Sequence, residues 1–261
     1  MVCIAVLSVK GGVGKSTVAL GLAGAAWQRG MRVLVVDCDP QANATYALDP
    51  EEHPFTVNDV LADGRPGIAA EAIARSQWAG VDVLSSERAL AHRDRASESP
   101  TRLRTTLAGA IETYDLVLLD CPPSLGQLAR GALVAADAAL VVVEPRRFAV
   151  DGAREALAAV DVVRPAYNLR LRTAGIVVNR CTSGSTRTHA ELRREFGDLL
   201  LGPGIPSSEA VPLSQEAAVP VQAWQSSDAR GVVEAFDDLL DVLLGGALGG
   251  GPELGAGKES T

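Results

Sequence analysis

Short runs of β-branched and other apolar residues alternate along this chain with longer stretches rich in alanine and leucine. Strands buried on both faces read as unbroken apolar runs, and the crossover helices between them supply the longer stretches. On that pattern strands are expected at Val2–Val9, Arg32–Asp37, Val81–Leu84, Leu116–Asp120, Ala139–Glu144 and Thr173–Asn179. Helices are expected at Lys15–Arg29, Pro100–Glu112, Leu125–Ala135, Val150–Val163, Thr188–Phe196 and Ala229–Leu244. The order predicts an α/β fold, a doubly wound and mostly parallel sheet with helices on both faces, whose ligands sit at the carboxyl ends of the strands. Residues 51–80 are less regular, with Pro54, Pro66 and several glycines, and read as an ornamented connection. After Leu244 the chain is too glycine-rich to hold a helix, so one domain over 1–244 and a disordered Gly-rich tail over 245–261 are expected.

Composition narrows the picture only in part. With 261 residues, 47% of them hydrophobic, the chain can bury one sizeable core. Cys3, Cys38, Cys121 and Cys181 are widely spaced without a C-x-x-C pair, which argues against a disulfide framework or a zinc site and for small buried residues. The first apolar run is too short for a membrane span and has no signal-peptide flank, so a cytoplasmic protein is expected. A formal net charge of −8 argues against a uniformly basic nucleic-acid binder. Charge is nevertheless uneven: ten arginines face four acids between Arg146 and Arg194, and eleven acids face two basic residues from Glu195 onward. A basic surface can sit on an acidic protein.

Lysine placement points to the chemistry. The chain has 21 arginines and three lysines, and two of the lysines, Lys10 and Lys15, fall in Lys10-Gly-Gly-Val-Gly-Lys-Ser-Thr17. A compact ammonium fits between phosphate oxygens where a planar guanidinium does not. The segment follows a predicted strand and opens a predicted helix, the context a P-loop requires. Gly11, Gly12, Val13 and Gly14 let backbone N–H groups turn toward an anion, and the helix start adds its positive dipole end. Lys15 is expected on the β- and γ-phosphates of a nucleotide, and the Ser16 hydroxyl on Mg²⁺.

Two other strand ends supply acid. Asp120 closes the run Leu118-Leu119-Asp120, which suits a Walker B carboxylate at Mg²⁺. Asp37 and Asp39, in Asp37-Cys38-Asp39-Pro40, point to one side as their strand finishes; two acids beside a triphosphate require a metal or a water-activating role, so one is expected near Mg²⁺ and the other near the attacking water. Lys10 is a second ammonium where one suffices. It is either a solvated lysine or a charge delivered across a dimer interface to a neighbouring nucleotide, an effect worth roughly 10³–10⁵ in rate in other phosphoryl-transfer enzymes.

With those motifs, Asp37-Cys-Asp-Pro-Gln-Ala-Asn-Ala-Thr45 and Asp120-Cys-Pro-Pro-Ser-Leu-Gly126, the chain resembles the ParA/MinD family of deviant-Walker ATPases, its ParA branch above all. Similarity continues through Glu144-Pro-Arg-Arg-Phe-Ala-Val-Asp-Gly152, Gly175-Ile-Val-Val-Asn-Arg180, Ile205-Pro-Ser and Pro220-Val221. The resemblance implies that Lys10 acts across an ATP-sandwich homodimer and that Thr17 contacts the α-phosphate. It implies that Asp39 positions or activates water, that Asp37 lies in the metal's outer shell, that Asn179 reads adenine and that Pro206 closes over the base. It further implies non-specific binding to double-stranded DNA in the ATP state and release when a ParB-like partner stimulates hydrolysis. Ala42 stands where the family usually has glycine, Gly184 where it usually has arginine, and Arg146-Arg147 where an acidic-aromatic pair is common.

Arg170, Arg172, Arg187, Arg193 and Arg194 are the candidates for DNA phosphate contacts, weighed against a merely solvated face. The low aromatic content, 4%, disfavours single-strand stacking. A MinD-like membrane switch is the alternative function, but it needs a terminal amphipathic helix with basic and bulky apolar faces that the glycine-rich acidic end lacks, so no stable membrane association is expected. An iron–sulfur electron carrier would require cluster cysteines at a dimer interface, and Cys121 directly follows the Walker B aspartate. The expected protein is a nucleoid-associated partition ATPase whose cargo is a plasmid, a chromosome or a protein assembly.

Overall fold

The computed structural model describes residues 1–51, 55–95 and 98–248. Its centre is a seven-stranded sheet made of β1 (Val2–Leu7), β2 (Val33–Asp37), β3 (Ile73–Arg75), β4 (Val81–Leu84), β5 (Leu116–Asp120), β6 (Ala138–Val143) and β7 (Arg172–Val178). The order across the sheet is β3-β4-β2-β5-β1-β6-β7. All neighbours run parallel except the edge strand β3, which is antiparallel to β4.

Successive side chains on a strand point to opposite faces, and here both faces are buried. Ile4, Val6, Leu118 and Leu140 join one core with helices α1 (Lys15–Gln28), α2 (Asn43–Leu48) and α9 (Ala229–Leu248). Ala5, Leu7, Leu119 and Val141 join the other with α3 (Val57–Asp63), α4 (Arg102–Leu107), α5 (Gln127–Ala135), α6 (Ala149–Tyr167) and α7 (Thr186–Phe196). The short α8 (Ala210–Glu216) follows the segment that extends the sheet edge beyond β7, where Leu201 N–H donates to the Ile176 carbonyl and Ile205 N–H to that of Val178.

The apolar-run pattern located six of the seven strands and the α/β architecture. It missed β3, α2, α3 and α8. Strand β1 stops at Leu7, two residues early, because Ser8 turns its hydroxyl to the Lys10 N–H at 3.3 Å and starts the loop. Helix α4 ends at Leu107, short of Glu112, since Gly109 adopts a φ of 80°. Helix α6 continues to Tyr167 with Pro165 in its last turn, where the missing N–H costs one bond near an end that was closing anyway. The tail expectation is corrected at its start: α9 continues through Gly245 and Gly246 to Leu248, carried by the buried face of Val232, Phe236, Leu240 and Leu243. The remainder of that tail, 249–261, lies outside the described residues.

Helix α1, which carries Lys15, Ser16 and Thr17, is seated by glycine. A Cβ on Gly21 would lie 2.2 Å from the fully buried Phe236 ring, so α9 can approach only a bare backbone there. Gly21→Val is expected to cost roughly 1–3 kcal/mol by overpacking, lowering the thermal midpoint by about 2–4 °C per kcal/mol. Gly245→Ala, whose Cβ meets nothing within 4 Å, should not. Calorimetric scans of the two variants check this, and equal midpoints would contradict the packing account.

Candidate functional site

The loop between β1 and α1 is held from outside by the end of β7. Asn179 Nδ2 donates to the Val13 carbonyl at 2.9 Å, and Arg180 Nη1 donates to the Gly12 carbonyl at 2.8 Å. Gly12 and Gly14 adopt φ of 79° and 88°. Gly14 is required twice over, because a Cβ there would also meet Asn179 Nδ2 at 2.1 Å. With two carbonyls engaged on the outside, the first N–H groups of α1 have no side-chain cap and no intrahelical acceptor. A concave set of unpaired donors at a helix start is an anion site.

Lys15 follows directly, its residue only 5% exposed, with Ser16 and Thr17 half-buried behind it. Among the described residues no hydrogen bond or ion pair holds the Lys15 ammonium. Asn179 is 1% exposed and spends an amide N–H on the loop, so its immediate role is to clamp the P-loop. Pro206 is bridged to Cys181 and borders a groove of about 380 Å³ between the 201–206 segment and α9.

Two of the three acids meet because of register. Asp37 is paired with Asp120 across β2 and β5, and Asp120 with Val6 of β1. Asp37 is fully buried, and its Oδ2 accepts from the Thr45 N–H and hydroxyl, both at 2.8 Å, while Oδ1 accepts from the Asp39 N–H at 3.1 Å. Burial pushes its carboxyl up to about 6 against these bonds. Asp120 is also fully buried, but neither of its oxygens has a hydrogen-bond partner. Burial first, and then the charge of Asp37, hold its carboxyl well above the usual range, with the Lys15 charge pulling the other way. Asp39 Oδ1 accepts from the Gln41 N–H at 2.9 Å.

Ser86, just beyond β4, ties this loop down. Its hydroxyl donates to the Asp39 carbonyl at 2.7 Å, and its N–H donates to Thr45 Oγ1 at 2.9 Å. Ala42 has a φ of 56° and so takes the left-handed conformation that a glycine would adopt freely, which explains why its substitution stands out in the sequence.

Lys10 sits on the outer side of the loop, exposed. Its Nζ donates to the Arg147 carbonyl at 3.1 Å and stands 5.1 Å from the centroid of the Phe148 ring. Glu144 at the end of β6 pairs with Arg146 at 3.0 Å and with Arg180 at 3.8 Å, linking this loop to the P-loop clamp.

Sequence reasoning brought together Lys15, Ser16, Asp37, Asp39 and Asp120, and it missed Thr45, Ser86, Arg180 and Phe148. Thr45 and Arg180 lie within segments that carried the family resemblance, but nothing local in the sequence marks Ser86. The candidate DNA arginines fall into two groups. Arg170 and Arg172 flank the start of β7, while Arg187, Arg193 and Arg194 are exposed on α7, where Arg187 pairs with Glu191 and Arg193 donates to the Gly197 carbonyl. Cys121 is fully buried beneath Asp120, which leaves it no surface from which to hold a cluster.

Comparison with known proteins agrees with this geometry. A family model described as an AAA domain matches residues 1–173. The chain is 37% identical over 207 residues to the chromosome-partitioning ATPase Soj of Thermus thermophilus, covering 78% of this chain and 80% of that protein. It is 32% identical over 229 residues to the chromosome partitioning protein ParA of Caulobacter vibrioides, covering 84% and 85%. The solved structure of cobyrinic acid a,c-diamide synthase from Mycobacterium smegmatis with bound ADP and magnesium has a TM-score of 0.77 at 28% identity, over 94% of this chain and 96% of that one. The P-loop, both acid-bearing strand ends and the Lys10 loop all fall inside the matched region, and the likeness to Soj and ParA continues past it: the chain belongs to the ParA/MinD family of deviant-Walker P-loop ATPases.

Proposed function

We propose that this ATPase is a partition switch: ATP pairs two copies into a homodimer, the dimer holds double-stranded DNA without reading its sequence, and a ParB-like partner releases it by stimulating hydrolysis. It would act in the cytoplasm on the nucleoid, moving a plasmid, a chromosome or a protein assembly. The observation that carries the reading is Lys10. The P-loop already has a buried lysine of its own, and the second ammonium is exposed on the loop's outer rim, where another subunit could meet it. The names of the Soj and ParA relatives support the partition role.

Within one subunit, the unpaired N–H groups at the start of α1 and the Lys15 ammonium would bind the phosphates of ATP. A buried carboxylate with two unpaired oxygens is costly to keep, and a divalent cation fits that need. Ser16 and Asp120 would hold Mg²⁺ with Asp37 in the outer shell; when bound, the ion would neutralise charge on the β- and γ-phosphates. Asp39 keeps Oδ2 clear of the Gln41 N–H bond, so it can orient the attacking water and accept its proton as the water attacks the γ-phosphorus and the bond to the β–γ bridging oxygen breaks, leaving ADP and phosphate. The partner's Lys10 would meet the charge that develops there. Asn179 and Pro206 would flank the adenine.

If the exposed arginines meet backbone phosphates, DNA retention should require ATP, and log affinity should fall linearly with log salt. Replacing Arg193 and Arg194 together by alanine should lower that slope by about two. Filter binding over a salt series checks both points. Equal binding without ATP, or ATP-dependent capture by liposomes in place of DNA, would sink the reading.

The Asp120 carboxyl gives a pH test. A group whose folded pKa is raised costs nothing below its unfolded value of 3.8 and progressively more as pH climbs through the folded value. In nucleotide-free, Mg²⁺-free protein, Asp120→Asn should therefore unfold at a higher temperature than the parent at pH 8, and the gap should narrow toward pH 4. A gap that does not change with pH would show that Asp120 carries no such penalty.

A further inference from the structure

We propose that Phe148 is a positioning residue for Lys10: in the lone subunit its ring and the neighbouring Arg147 carbonyl park the ammonium off the nucleotide, and pairing must draw it away. The inference rests on the reading that Lys10 serves the partner's nucleotide.

Lys10 is exposed but not free. Among the described residues its ammonium has two contacts, the Arg147 carbonyl at 3.1 Å and the Phe148 ring at 5.1 Å, and both come from the loop after β6. That loop is held by several contacts of its own. Arg146 is paired with Glu144, the Ala149 N–H donates to the Arg146 carbonyl, and the Gly152 N–H donates to the Phe148 carbonyl. A Cβ on Gly152 would come within 3.4 Å of Val9 Cγ2, so the start of α6 lies close against the residue that precedes Lys10.

The backbone of Phe148 is the unusual part. It takes φ 71° and ψ 18°, a left-handed conformation that a bulky aromatic residue rarely adopts. Burial does not account for this, since Phe148 is 56% exposed. What the conformation achieves is to stand the ring beside Lys10 at the end of the same loop whose Arg147 carbonyl accepts from it. Strained residues of this kind gather where the strain serves function, and Ala42 and Arg180, in the loops after β2 and β7, share the left-handed region.

The hold is also built to be weak. The Arg147 guanidinium lies 5.0 Å from the centroid of the same ring, so two like charges draw on one aromatic ring. An exposed cation over an aromatic ring is favoured by about two- to fivefold over the released state. An ATP dimer needs both of its lysines released, so the two factors multiply, and removing the ring should tighten dimerisation by about 5- to 30-fold.

The test uses Phe148→Leu, which keeps apolar bulk without a π face, and Phe148→Trp, which offers a stronger one. With only three lysines in the chain, a lysine-labelled NMR spectrum can follow the Lys10 ε-methylene directly. In the nucleotide-free parent that signal should be shifted upfield by the ring, and it should return toward the free-lysine position in Phe148→Leu. Sedimentation with a non-hydrolysable ATP analogue should give the tightest dimer for Phe148→Leu, then the parent, then Phe148→Trp, with nucleotide affinity of the monomer unchanged. A Lys10 signal indifferent to the Leu change, or a dimer weakened by it, overturns the inference. Should Lys10→Ala pair and hydrolyse ATP like the parent, the reading in trans fails by a separate signal, and the purpose of the parking goes with it.

Discussion

The carboxyl edge of the central strands sets a buried carboxyl beside a helix start, neither of them with a hydrogen-bond partner among the described residues. Asp120 is fully buried with both oxygens unsatisfied, one strand away from a second buried carboxyl on Asp37, and the first N–H groups of α1 open beside them without a cap. Parallel register brings the two acids side by side, and burial makes the charged form of each costly. Each feature alone costs stability. Together they are donors for an anion and acceptors for a cation, and a nucleotide with its metal would offset both costs at once.

An arrangement that is unfavourable when empty must be held in place by contacts that do not involve the ligand. Asn179 and Arg180 fix two P-loop carbonyls from β7. Ser86 fixes Asp39 and Thr45 from the end of β4, and Thr45 in turn fixes Asp37. Glu144 joins Arg180 to Arg146, so the P-loop and the loop that parks Lys10 are mechanically connected.

Much of this was legible in the amino-acid order. Doubly buried strands cannot hide their apolar runs, and the P-loop and the two acid-bearing strand ends announce themselves because their chemistry depends on neighbours in sequence. What escaped was set by contacts between distant segments. Strand β3 has three residues and draws its identity from pairing with β4, and the Gly21–Phe236 packing joins helices at opposite ends of the chain. The resemblance gave Asn179 a role at the base, but nothing in the sequence showed that its amide N–H also holds the Val13 carbonyl, since that contact depends on where β7 lies in the sheet. The left-handed turn at Phe148 had no local signal, since the residue there is among the least suited to it. Glycine content misplaced the end of α9, where tertiary packing overrode propensity.

The central claim is that an exposed ammonium from one subunit completes the site of another. A crystal structure with a non-hydrolysable ATP analogue and Mg²⁺ addresses it most directly. The account predicts two copies facing each other across their nucleotides, with each Lys10 gone from Phe148 and within hydrogen-bonding distance of the γ-phosphate bound by its partner. A nucleotide-loaded single subunit, with Lys10 still resting on the Phe148 ring, would contradict it.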